Sequence, residues 1–366
     1  MVCPVFTEPR DVDAAELARL LEQHWGLRKA VLEYAPVGFG GYHWRCVEGD
    51  GTRYFVTADD LRAAHHGRVA PDAVEATLER AFRTAVALRE GAGLEFVVAP
   101  IRDDEGSVLR RLGDHHVVRI EPFVDGVSAD DGEYGSAAER RRVATAIGRL
   151  HAASDRVPAG LLRRDDLAIP SRAGLDLVLD DLNEPWGAGP YSEPARSLIR
   201  SSAADLRRRL RAFDEAADRA RAAPEPWVVT HGEPHRANVV MGDGGSVHLV
   251  DWDTVRVAPR ERDLRTVLDD DRTGWDEYTA EAGDVALRPE VLDLYAEWWN
   301  LAEIAIYVTQ FRAPHHQTQD TLVAWEALNE YLPRRGATRA IARSGSNLRH
   351  EGQEPPDPEG DLSLRP

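Results

Sequence analysis

The stretch "VVTHGEPHRANVV" (residues 228–240) sets His231, Glu233, His235 and Asn238 between two apolar runs, and "HLVDWDT" (248–254) places Asp251 and Asp253 just beyond the next. Between them "GDGG" is a hairpin signal, and a chain folded between Gly244 and Gly245 returns Asn238 beside Asp251. An amide oxygen next to a carboxylate is a hard-oxygen pair suited to Mg2+, which takes one or two protein ligands and completes its octahedron with phosphates and water. Glu233, five residues before Asn238 in the loop entering the first strand, reaches over the same spot as a base or a positioning group. Any one of these residues alone reads as a strand-end cap or a solvated acid. Three converging on one hairpin mouth read as a site. Zinc chemistry fits less well. "HGEPH" lacks the His-Glu-x-x-His helix spacing, Pro234 opposes that helix, and a deaminase pattern needs a later Cys-x-x-Cys that a chain with only Cys3 and Cys46 does not have. The pairs His65–His66, His115–His116 and His315–His316 have no companion ligands nearby and read as surface or strand-end residues.

A second candidate is the loop "VGFGGYHW" (residues 37–44). It is not a dinucleotide fingerprint, because His43 takes the third glycine position and a strand follows. Gly38, Gly40 and Gly41 instead suit a loop between antiparallel strands whose amides approach phosphates, as in kinases, or simply a tight turn.

The elements that must position these residues fall into two textures. Residues 13–25 form an amphipathic helix, and "AVLEYAPV", "GYHWRCVE" and "RYFVTAD" form a three-stranded meander. A helix follows over 72–90, and "LEFVVAPI" (94–101) and "HHVVRIEPFVDG" (115–126) supply two more strands, a five-stranded antiparallel sheet ending near Pro122. From Ser136, which with Glu139 fits a capping box, helices dominate, with further blocks over 194–221 and 288–332. The expected class is α+β, with lobes at 1–122 and 123–335 and a tail at 336–366 whose Pro, Gly and charge content predicts disorder.

The net charge of −18 argues against a nucleic-acid backbone or an anionic membrane as partner and suits a cationic substrate. No basic segment followed by an apolar stretch opens the chain, no run has the length of a transmembrane helix, and the two cysteines build no disulfide framework. A cytoplasmic protein is expected. Lys29 is the only lysine.

In this order, a strand-rich lobe with a glycine loop, a connector after "RIEPF", and a helical lobe carrying "HGEPHRAN" and "LVDWD" closely resemble the aminoglycoside phosphotransferase and choline kinase superfamily, over about residues 30–330. Its most specific motif corresponds to His231, Gly232, Glu233, Asn238 and Asp251. The resemblance implies a protein-kinase-like fold with a nucleotide-binding first lobe and the catalytic loop and substrate site in the second. It implies transfer of the ATP γ-phosphoryl group to a hydroxyl of a small molecule, with an aminoglycoside-like antibiotic, choline or another amino-alcohol, and a sugar all open as acceptor. Glu233 would be the catalytic base or positioning acid, Asn238 and Asp251 the Mg2+ ligands, and backbone around Glu121 to Phe123 the adenine contact. Asp263 would brace the catalytic loop, and Asp253 would add to the metal site or cap a strand. The acids Asp269, Asp270, Asp271, Asp276 and Glu277 would suit a polyamine acceptor, or would be solvated.

Two departures stand out. The family usually has aspartate where this chain has Glu233, so the carboxylate is kept but displaced by a methylene. Where kinase-like folds place a lysine on the third strand, this chain has Thr57. Arg45 or Arg53 would supply the cation, with Glu75 or Glu79 as its partner acid. The missing lysine also supports an alternative, a nucleotide-binding pseudokinase; the retained Glu233, Asn238 and Asp251 oppose it.

Overall fold

In this computed structural model, residues 5–63, 69–128, 134–223 and 226–332 are described. His65–His66 and the tail at 336–366 lie outside the described residues. The meander forms as its alternation demands: β1 (Val31–Ala35), β2 (Gly41–Val47) and β3 (Arg53–Asp60) are antiparallel neighbours, and β5 (His116–Pro122) and β4 (Arg110–Leu112) extend the sheet in the order β1-β2-β3-β5-β4. Trp44, Cys46, Val56, Ala58, Val118 and Ile120 point to one face and pack on Leu17 and Leu21 of α1 (Ala14–Trp25). The period of two sends His43, Arg45, Phe55, Thr57, Asp59, Arg119 and Glu121 to the other face, where they line a cleft.

The sheet has five strands, but residues 94–101 are not one of them. Their backbone is spent on single contacts: Val98 N–H donates to Leu249 O (2.9 Å), Leu249 N–H to Phe96 O (2.7 Å) and Ile101 N–H to Ile120 O (2.9 Å). Phe96, Val97 and Val98 are buried all the same. A continuous apolar run reports burial, and here it belongs to a connector pressed between the lobes. The fourth strand is the short β4, whose Arg110 and Arg111 mask it in sequence.

Helix α2 (Pro71–Val86) ends in a π turn, Ala87–Gly91. Its Leu78 and Phe82 share one core with Val143 and Ile147 of α3 (Ala137–Ala152) and with Val239, Leu249 and Trp252, so the two lobes meet through a continuous apolar contact. Ser136 caps α3 by accepting from Glu139 N–H, while the Glu139 carboxylate turns to Gly135 N–H (3.0 Å) and to Arg236 (2.5 Å). The second core joins α4 (Arg172–Asp180), α5 (Ser192–Ala222), α8 (Pro289–Arg312) and α9 (Gln319–Tyr331). The block expected over 288–332 is thus two helices, split where Thr318 starts α9 with a reciprocal cap to Thr321.

Helix α7 (Trp275–Ala282) crosses α3 at Gly148, where a Cβ would lie 2.6 Å from Tyr278 O and 2.8 Å from the Glu281 Cβ. Gly148→Val is expected to destabilise the protein by about 1–3 kcal/mol through overpacking, read as a lower urea midpoint at unchanged slope.

Candidate active site

Strand β6 (Val228–Thr230) delivers the chain to His231, and β7 (Val239–Met241) with β8 (Val247–Leu249) forms the expected hairpin. The loop between is held from behind by α6 (Glu261–Val267). Asp263, 0 % exposed, accepts from His231 N–H (2.8 Å), from Gly232 N–H (2.6 Å) and from the His151 ring (3.1 Å). Burial alone would raise its carboxyl; the His151 hydrogen bond and charge, with Arg262, hold it below the usual carboxylate range. This is the bracing that the resemblance implies for Asp263. Gly232 sits at φ 104 against the Arg262 guanidinium, so neither a left-handed penalty nor a Cβ is tolerated there. Arg262 in turn donates to Thr230 Oγ1 (2.9 Å) and Thr254 O (3.0 Å).

The partners of His231 define its tautomer. Nε2 lies 2.8 Å from Val250 O and must donate; Nδ1 accepts from Glu233 N–H at 3.3 Å. A neutral ring therefore ties the loop after β6 to the end of β8. Asn238 donates Nδ2–H to Glu233 O (3.0 Å), which leaves its Oδ1 as the group available to a cation.

The hairpin register differs by one residue from the expected fold-back. Val239 pairs with Leu249 and Val250 N–H bonds Asn238 O (3.1 Å), so Asn238 stands opposite Val250 and not Asp251. The reason is the turn: Gly242 N–H closes on Ser246 O, which encloses an odd number of residues and centres the hairpin on Gly244. Asp251 follows the ladder at φ 64. It nonetheless lines the same cleft, of about 2250 Å³, as Glu233, Asn238 and Asp253. Burial in the cleft wall raises the Asp251 carboxyl against the pull of Arg119, and Glu233 and Asp59 raise it further; Asp253 is raised well above its ordinary value by burial and by Asp251. Carboxylates that crowd one another in this way are matched to added positive charge.

On the sheet side, Gly38 and Gly40 adopt φ 79 and 94, and with Gly41 they line the cleft. Glu121 and Phe123 line it too, although Phe123 N–H already donates to Arg53 O (3.3 Å). Arg45 is exposed on β2 at the cleft rim. Arg53 pairs with Asp125 (2.5 Å) and stacks over Phe123 (4.7 Å). Glu75 bonds Arg111 and Glu79 lies 3.7 Å from Arg83, so neither accompanies a cleft cation. The charge beside Asp251 comes from a residue that the motifs do not single out. Arg119 on β5, 4 % exposed, donates Nε–H to Glu121 Oε1 (2.6 Å) and Nη1–H to Asp59, and places Nη2 3.9 Å from Asp251 Oδ1. The available signal was strand alternation, which puts Arg119 and Glu121 on one face.

The acidic run after the site does not line the cleft. Asp269 lies 3.3 Å from Arg140 and caps Thr273 N–H (2.8 Å), while Glu277 faces Arg141 (3.4 Å). His115 and His116 do gain a companion: Asp11 bonds His115 (2.9 Å), with Arg62 3.7 Å from the same carboxylate.

Burial pushes the His231 ring down to about 4 from its ordinary value of about 6.5. A depressed histidine contributes stability in full above the unfolded value and loses it as pH falls toward the folded one. The melting temperature should therefore drop between pH 6.5 and 4, and His231→Asn, less stable at pH 7.5, should show a flatter pH dependence in the same calorimetric series.

The profile of the phosphotransferase enzyme family matches residues 44–307. Protein StrN of Streptomyces griseus is 28 % identical over 349 residues, 91 % of this chain and 98 % of that one. A spectinomycin phosphotransferase in complex with ADP and spectinomycin superposes with a TM-score of 0.65 at 16 % identity, covering 91 % of this chain and 97 % of the other. A microcompartment-associated aminopropanol kinase does so at 0.54 and 15 %, covering 85 % and 93 %. Such structural likenesses carry the two-lobed, kinase-like fold. With the profile spanning well over half its length, the chain belongs to the phosphotransferase enzyme family.

Proposed function

We propose that the protein moves the γ-phosphoryl group of ATP to a hydroxyl of a small, amine-bearing molecule, an aminoglycoside-like antibiotic or an amino-alcohol. The observation that carries this reading is that Glu233 and Asn238, from the loop braced by Asp263, and Asp251, from the far side of the hairpin, line one cleft. Phosphoryl transfer depends on placement and charge neutralisation more than on covalent chemistry, and this arrangement supplies both. The donor set of one amide oxygen and neighbouring carboxylates fits Mg2+, which Asn238 and Asp251 would hold, with Asp253 beside them. When bound, the ion would neutralise and orient the phosphates. Glu233 would accept or orient the proton of the acceptor hydroxyl; burial acts to raise its carboxyl while His235 and Arg262 act to lower it. The solved ADP complex of the spectinomycin phosphotransferase supports a nucleotide in the equivalent cleft.

The amine in the acceptor is argued from α8. Glu303, 1 % exposed, lines the cleft one turn beyond Trp299, hydrogen-bonds Tyr307, and has its carboxyl raised by burial and by Glu233. An ammonium on the acceptor would meet two acids of the same cleft, Glu303 and Glu233. The spectinomycin phosphotransferase and the aminopropanol kinase, named for amine-containing compounds, support that class.

ADP release from Mg·ATP should be stimulated by at least one member of a panel of aminoglycosides and amino-alcohols. Nucleotide binding without stimulation by any hydroxyl compound would reject the reading. Glu233→Gln should lower kcat by about 100-fold or more at similar KM for ATP, and Asp251→Ala should abolish turnover with the melting profile retained. Glu303→Gln should raise KM for amine-bearing acceptors and leave KM for ATP near its original value.

A further inference from the structure

We infer that Arg119 is the phosphate-binding cation of this enzyme, relocated to β5 from the third-strand position where the sequence has Thr57. The inference deepens the proposed function and rests on its assignment of the cleft to a nucleotide.

The register gives the first ground. Thr57 and Arg119 are direct cross-strand partners, so both side chains leave the sheet on the same face at the same level. A cation needed above Thr57 can be supplied from the neighbouring strand by a side chain long enough to lean across. Arg119 does lean that way, because Nη1 binds Asp59, two residues beyond Thr57 on β3. Its guanidinium lies over the Phe82 ring (4.3 Å), which supports the group from α2.

The second ground is what the cluster leaves unsatisfied. Nε and Nη1 are committed to Glu121 and Asp59, but Nη2 makes no hydrogen bond among the described residues, and Asp251 at 3.9 Å is beyond that distance. A fork held at two corners with its third edge on the cleft is preorganised for phosphate oxygens. The alternatives are placed less well. Arg45 is exposed at the rim, and Arg53 is paired with Asp125 under Phe123.

Calorimetry with adenosine, ADP and Mg·AMP-PNP tests this without an acceptor. Arg119→Met should weaken Mg·AMP-PNP about 10- to 100-fold while adenosine changes little. Adding Thr57→Lys should restore most of the loss by returning a cation across the same strand pair. The ADP loss should persist in EDTA; a loss confined to Mg2+ would mean that Arg119 only positions Asp251, and would overturn the direct contact. Equal weakening of adenosine and Mg·AMP-PNP, full affinity in Arg119→Met, or no rescue in a folded Thr57→Lys/Arg119→Met protein would each overturn it too. If Arg119→Met does not fold, the triple variant Asp59→Asn/Arg119→Met/Glu121→Gln removes the cluster's charges together and takes the same measurements with and without Thr57→Lys. Failure of the unmodified chain to bind any adenine nucleotide would sink the proposed function along with this inference, whereas the outcomes above sink the inference alone.

Discussion

The site depends on one buried carboxylate. Asp263 has no exposed surface, and removing an acid from water costs several kcal/mol unless hydrogen bonds replace the solvent. Here two consecutive backbone amides, those of His231 and Gly232, and the His151 ring do so. The same bonds that make the burial tolerable set the direction in which the loop carrying Glu233 leaves β6. The residues beside it are buried as well: Glu261 holds Arg288 at the start of α8 (2.8 Å), and Arg262 closes on Thr230 and Thr254. Three successive charges on a seven-residue helix thus tie the loop, the segment after the hairpin and α8 to one rigid point. Glu233 comes from that loop and Glu303 from α8, so the candidate base and the candidate acceptor residue share a common anchor.

Across the cleft the charges are arranged differently. The helical lobe brings Glu233, Asn238, Asp251 and Asp253 to the cleft, whereas the sheet presents glycine amides and the buried fork of Arg119 held between Asp59 and Glu121. The acids of the helical lobe are poorly compensated on their own. The Asp251 and Asp253 carboxyls are raised because burial and mutual repulsion outweigh Arg119, and a magnesium nucleotide brings the kind of charge that would settle both sides. Arg119 also links β3, β5 and, at longer range, Asp251 through ion pairs, so the proposed nucleotide and metal positions would be coupled through it.

How much of this was legible in sequence follows from how local each signal is. The hairpin, the bracing Asp263 and the two-lobed order rest on short motifs, and they are found where those motifs lie. The apolar run over residues 94–101 suggests a strand because apolar content reports burial, not hydrogen-bond partners. Sequence offers Arg45 and Arg53, which lie in or beside the third strand along the chain, but not Arg119, whose relation to Thr57 exists only once β3 and β5 are in register, more than 60 residues apart. The acids from Asp269 to Glu277 suggested an acceptor surface by proximity in sequence, yet Asp269 and Glu277 face arginines of α3. Glu303 carried no motif at all, and its placement depends on how α8 packs against α6.

The hairpin shows how a local departure can preserve a distant requirement. Side chains alternate along a strand, so slipping the register by one residue should send Asp251 to the face opposite its intended partner. The ladder has slipped by that amount: Asn238 pairs with Val250. The alternation is broken at the residue concerned, because Asp251 takes φ 64, a left-handed conformation that aspartate tolerates better than most side chains but that still costs about 1 kcal/mol or more. The strain is confined to one residue just past β8, whose neighbours are fixed by Trp252 packing in the core and by the His231 ring on Val250 O. Those anchors hold the chain in a turn that brings the carboxylate back to the cleft. A three-residue turn closed by Gly242 and Ser246 and a left-handed Asp251 are therefore complementary features: either alone would separate the amide from the acid, and together they keep both on one surface.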